Sequence, residues 1–101
     1  MPQGRPPATV LVEPEPGRAR TSFATVRDGR GESRHRVTVA DKDAARFADL
    51  GADPAAGVKA AMLFLIDREP KEAILAAFDI DVIRRYFPEF DDAFPAYLAR
   101  L

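Results

Sequence analysis

The run from Ala55 to Ile66, AAGVKAAMLFLI, constrains this chain most, because Lys59 is its only charged residue. A helix written this way has little polar surface to give to water, so the rest of the fold must nearly enclose it. Its start is marked by Asp53-Pro54. The carboxylate can accept from free amides of the first turn, and proline follows at the first helical position, where a missing N–H costs nothing. The helix is expected to run to about Arg68 and to break at Glu69-Pro70, since proline disfavours α geometry in the residue before it. At 101 residues the chain has room for one domain, and a domain of this size has difficulty covering a helix on every side. Part of its surface, carried by Val58, Met62 and Leu65, is therefore expected to pack against a second copy in a homodimer.

The segments around this helix suggest an α+β fold: an N-terminal β-hairpin followed by three to five short helices in a single domain. Residues 1 to 20 are rich in proline, with Pro6-Pro7 and Pro14-Glu15-Pro16-Gly17, and read as a flexible tail. Thr9-Val10-Leu11-Val12 as a short edge strand is the alternative. The domain then spans 21–101. The hairpin covers 21–39 and turns at Asp28-Gly29-Arg30-Gly31, where two glycines can supply positive φ. His35, Val37 and Val39 share the core face by the period of two, leaving Arg34, Arg36 and Thr38 on the other. Phe23 and Val26 have opposite parity, so either a bulge intervenes or one is exposed.

The helical part covers 41–101. Asp41 is expected to cap a helix to about Leu50, with Phe47 and Leu50 facing the core and Gly51 just past the end. A third helix is expected from Pro70 to about Ala77, with Ile74, Leu75 and Phe78 inward. Asp79 can cap a short helix from Ile80 to Tyr86, with Arg84 and Arg85 partly outward, and Pro88 ends it. Phe90, Phe94, Tyr97 and Leu98 suggest a last helical segment packing back on the core.

A balance of 47% apolar and 31% charged residues fits a globular chain rather than a disordered one. The absence of cysteine excludes a disulfide framework, a thiolate metal site and a cysteine nucleophile, and fits a reducing compartment. With no apolar stretch long enough to cross a bilayer, the expected location is cytoplasmic and no membrane partner is expected. Charge is divided unevenly. Residues 1 to 40 hold seven arginines against four carboxylates, whereas residues 41 to 101 hold eight basic and twelve acidic side chains. Positive potential should therefore concentrate towards the N-terminal part.

The segment Phe64 to Phe90, FLIDREPKEAILAAFDIDVIRRYFPEF, resembles a family of small bacterial proteins ending in a similar leucine-rich helix, REP break and RYFPE motif. The likeness covers about a quarter of the chain and extends more loosely to the RVTV strand and the helix after it. It implies a fold and brings no catalytic or ligand residue.

Catalytic equipment is sparse. Nucleophilic catalysis needs a nucleophile, a base and an orienting group, and the candidates reduce to Ser22, Ser33, a few threonines and the single His35, which reads as a sheet residue. No catalytic residue, metal site or cofactor is expected. The carboxylate pairs Asp41/Asp43, Asp79/Asp81 and Asp91/Asp92 fall at expected helix starts, where acidic side chains complement the helix dipole. Binding is the expected mode of action. Arg34-His35-Arg36-Val37-Thr38-Val39 followed by two helices resembles the order of a ribbon-helix-helix repressor, in which paired strands of a dimer enter the major groove. That resemblance gives Arg34, Arg36 and Thr38 the base-reading role in a homodimeric DNA-binding regulator. The strand at Thr21 to Arg27 departs from it, because it would occupy the edge the ribbon needs. The alternative is a protein–protein interaction module, with the arginines on the solvated face of an ordinary hairpin and Phe87, Phe90, Phe94 and Tyr97 as anchors. Lys71 to Phe87 matches a helix-turn-helix poorly, and only Arg84 and Arg85 could contact nucleic acid there.

Overall fold

In the computed structural model, which describes residues 7–101, the nearly all-apolar segment forms a helix that its own chain encloses. The elements run β1 (Thr9–Glu15), β2 (Arg18–Asp28), β3 (Gly31–Thr38), α1 (Asp41–Asp49), α2 (Pro54–Ile66), a 3-10 turn (Lys71–Ala73), β4 (Ala77–Asp79), α3 (Ile80–Tyr86) and α4 (Phe90–Leu98). The strands form one sheet in the order β1-β2-β3-β4, antiparallel except that β4 lies parallel to β3. One side of α2 packs on β1 and β2, and α1 and α4 cover its other side. Val58 and Met62 are fully buried and Leu65 is 4% exposed, so all three belong to the single-chain core. This corrects their expected place in a dimer interface. The expectation counted residues 9–15 as tail, whereas they form β1, and β1, β2, α1 and α4 together cover α2 within one chain.

The additional strands come from segments whose local signals point elsewhere. Residues 9–15, expected within the tail, form an edge strand in continuous register with β2 from Thr9↔Arg27 to Pro14↔Ser22. Burial of Val10 outweighs the flanking prolines, and Pro14 sits beside a register shift on an edge, where strands tolerate proline. The part of the expected tail at residues 1–6 lies outside the described residues. The helix expected from Pro70 to Ala77 is instead one 3-10 turn followed by β4. There the Ala76 carbonyl accepts from the Arg36 amide at 2.8 Å, and that of Leu75 contacts His35 Nδ1 at 2.7 Å. Tertiary pairing thus overrides local helix propensity.

Other expectations hold in part. Asp53 accepts from the Ala56 amide at 2.8 Å, Asp79 caps α3 through the Asp81 amide, and Gly51 ends α1 with a φ of 82°. Asp41 is instead the first residue of α1, after an N-cap at Ala40 that makes no side-chain bond. At the β2–β3 turn only Gly31 has positive φ, because the Asp28 carboxylate accepts from the Arg30 amide and closes the turn. His35, Val37 and Val39 face the core as expected. β2 has no bulge against β3. Phe23 lies on the outer face and Val26 on the inner one. Phe47 is buried, but Leu50 and Leu75 are exposed, in contrast to their expected inward positions. No helix among the described residues is long and apolar enough to cross a membrane.

Candidate functional site

Where β4 passes into α3, the core remains open. The break at Glu69-Pro70 stops α2 short, the 3-10 turn carries the chain sideways, and α3 begins at once after β4. A groove of about 360 Å³ lies between these elements. Leu65, Ile74, Phe78, Val82, Ile83 and Phe87 form its apolar wall, and Glu69 is the only charged residue among those that line it. At its mouth stand Leu75, 52% exposed, and Tyr86, 70% exposed, two large side chains left in water. Ligand sites are typically concave, mostly apolar and of roughly 300 to 1,000 Å³, so the groove fits that class. A second depression, lined by Leu50, Gly51, Ala52, Ala56, Pro95, Leu98 and Leu101, has smaller side chains in its wall.

The position of Leu75 is set from the sheet. His35 is buried, with Nδ1 2.7 Å from the Leu75 carbonyl oxygen and Nε2 2.7 Å from Ser33 Oγ. A serine and a histidine thus meet at bonding distance, as a nucleophile and a base would. Neither depression is lined by them, however, and the group facing Nδ1 is a backbone carbonyl. The pair instead fastens the groove's rim to β3. Lys71 fixes the other end of the 3-10 turn. Its ammonium is buried, bonded to Glu72 and 2.9 Å from Asp28 at the β2–β3 turn, and these carboxylates raise its pKa.

The expected nucleic-acid residues lie elsewhere. Arg34, Arg36 and Thr38 share the sheet face opposite α2, but β3 has β2 on one side and β4 on the other. β3 therefore has no free edge to pair in a two-chain ribbon, and the ribbon-helix-helix arrangement expected for it is corrected. Arg36 reaches Glu15 at 2.8 Å and holds that carboxyl below its usual range. Thr38 donates to Asp79 at 2.9 Å. Arg34 lies over the Phe23 ring at 4.1 Å, and no ion pair engages it among the described residues. By register, Arg18, Arg27, Arg34 and Arg36 on this face are matched by Glu13, Glu15, Glu32 and Asp79, which gives a phosphate backbone no net attraction.

Arg84, expected partly outward, is held between helices. Its guanidinium meets the Asp43 carboxylate, Asp91 at 2.9 Å and Asp81 at 3.1 Å. Asp43 is 1% exposed, so Arg84 compensates a buried charge. Its pKa is raised, first by Asp43 and then by Asp91, while Arg84 lowers that of Asp91. Members of the three sequence pairs therefore converge on one arginine. Arg46 completes the cluster through Pro95. A proline within α4 has no N–H for the Asp91 carbonyl, and Arg46 Nη2 donates to that carbonyl at 2.6 Å instead. This network locks α1, α3 and α4 together and has no open cation to offer a ligand.

The C-terminal aromatics divide between core and surface. Phe90 and Phe94 are fully buried, while Phe87 and Tyr97 pack edge-on against Phe64, with ring centroids 5.8 and 5.6 Å from it. Of the four expected anchors only Phe87 borders the groove. Leu75, Val82 and Tyr86 were missed because a mixed sheet edge next to a short helix leaves no periodic signal. The one available hint is the large side chains crowded between Pro70 and Pro88. The chain matches no family model, and neither curated proteins nor solved structures give a match.

Proposed function

We propose that the chain is a non-catalytic binding module that receives an apolar side chain of a protein partner in the groove between β4 and α3. The observation that carries this reading is an apolar cavity whose mouth is framed by solvent-exposed Leu75 and Tyr86. Aromatic and aliphatic anchors seated in such pockets dominate protein interfaces. A peptide selected from a displayed random library, with counter-selection on Leu75→Glu, tests it. Calorimetry should find binding nearly independent of salt and weakened about tenfold or more by Leu75→Glu or Tyr86→Ala, with melting unchanged because both positions are exposed. Equal affinity for all three proteins would refute the reading.

A second reading takes nucleic acid on the outer sheet face and rests on Arg34 stacked over Phe23, an arrangement able to accept a base. It draws on the excess of arginine in the N-terminal part and would make the chain a homodimeric regulator, but the four carboxylates on that face weigh against it. Titration of labelled random-sequence duplex at two salt concentrations distinguishes the two. Binding that falls steeply with salt and disappears in Arg34→Ala/Arg36→Ala would favour nucleic acid.

A further inference from the structure

We infer that the partner binds as an extended strand, pairing its main chain with Ala77 at the open edge of β4 while the next side chain enters the groove. This rests on the groove reading above and adds the geometry of the ligand. In a parallel pair, a residue that directs both its amide and its carbonyl at the neighbouring strand faces one that turns both away. Arg36 is paired with Ala77, and its amide donates to the Ala76 carbonyl at 2.8 Å. Arg36 is therefore the bonded member, and the Ala77 N–H and C=O point outward. Ala77 is exposed, and β4 is the last strand of the sheet. The Val39 amide donates to Arg20 on the other side of β3, as this alternation requires.

A free donor and acceptor at a sheet edge suit an extended main chain. A helix has already used its own backbone groups, and a small apolar molecule has none to pair. Side chains level with one another on adjacent strands point to the same face. The peptide residue level with Ala77 therefore points away from the core. Its neighbour, level with Phe78, points inward, and Phe78 is part of the groove wall. The ligand class is thus an extended peptide with one apolar residue beside the paired position.

The test uses the peptide selected on the wild-type chain. Ala77→Pro removes the outward N–H while the ladder bonds through Ala76 and Phe78 remain, the one placement in which an edge strand tolerates proline. Its affinity should fall roughly tenfold or more with an unchanged melting temperature, because the ring also occupies the approach of the incoming carbonyl. Should the proline variant melt early, N-methylation of the peptide at each residue in turn replaces it, and one position should lose affinity by a similar factor. Unchanged affinity for Ala77→Pro together with loss in Leu75→Glu would overturn strand addition and leave the groove reading standing. Failure to enrich any peptide over the Leu75→Glu counter-selection would overturn both.

Discussion

Gly57→Ala reverses the usual effect of removing a glycine from a helix. The exchange normally stabilises by about 0.5 to 1 kcal/mol through backbone entropy. Here the new methyl group would stand 2.1 Å from Cδ2 and 2.3 Å from Cε2 of Phe47. Carbon atoms rest about 3.5 to 4.0 Å apart, so the ring must retreat by roughly 1.5 Å. It has nowhere to go. Phe47 is fully buried and stacked on Phe94, with 4.9 Å between ring centroids and 17° between planes. Overpacking of this kind costs about 1 to 3 kcal/mol, and a displacement of this size belongs in the upper half of that range. After subtraction of the helix contribution, a net loss of about 1 to 2.5 kcal/mol remains, or roughly 5 to 20 °C in melting temperature for a domain this small. Urea unfolding followed by far-ultraviolet circular dichroism reads it directly. In Phe47→Leu the smaller side chain should absorb the methyl group, so Gly57→Ala should cost much less in that background. A Gly57→Ala protein as stable as the wild type would refute the reasoning.

Leu65→Ala should cost about 2 to 5 kcal/mol, the range for a large buried truncation, and a negligible change in urea midpoint would contradict the enclosure of α2. Arg46→Ala leaves the Asp91 carbonyl without its donor and should cost about 1 to 3 kcal/mol. Pro95→Ala restores a backbone amide for that carbonyl, so it should help more in the Arg46→Ala background than alone, and equal effects in thermal melts would contradict the role given to Arg46. Arg84 lowers the pKa of Asp91, Lys42 and then Arg84 lower that of Asp81, and Arg36 lowers that of Glu15. Carboxyls depressed in the folded state contribute stability that is present above their unfolded values, near pH 4, and lost as pH falls through the folded ones. Urea midpoints should therefore hold from pH 7 to about pH 5 and decline below about pH 4, and a midpoint unchanged at pH 3 would contradict these pairings.

The elements legible in the sequence are those whose signals are local. Asp53-Pro54 and Asp79 start helices because a carboxylate three or two residues ahead of an amide is sufficient, and Gly51 ends one for a similarly local reason. The alternation of His35, Val37 and Val39 reads correctly because period two on a strand needs only neighbours. β1 is legible only as an alternative over residues 9–12 and β4 not at all, because pairing with β2 and β3 makes them strands, against proline in one case and helix-forming composition in the other. Val58, Met62 and Leu65 lie in the single-chain core for the same reason, since β1 belongs to the part of the sheet that covers α2. Arg84 looked like a surface cation because its carboxylate partners Asp43 and Asp91 lie 41 and 7 residues away in the chain. The groove depends on the same long-range events, as a seam between β4, α3 and the end of α2.

The most direct test of the binding account is a map of backbone amide shifts in isotopically labelled protein on addition of the selected peptide. The account predicts the largest changes at Leu75, Ala77, Phe78, Val82 and Tyr86, with Phe23 and Arg34 on the outer sheet face unmoved. Changes centred on Phe23, Arg34 and Arg36, with the groove silent, would contradict it.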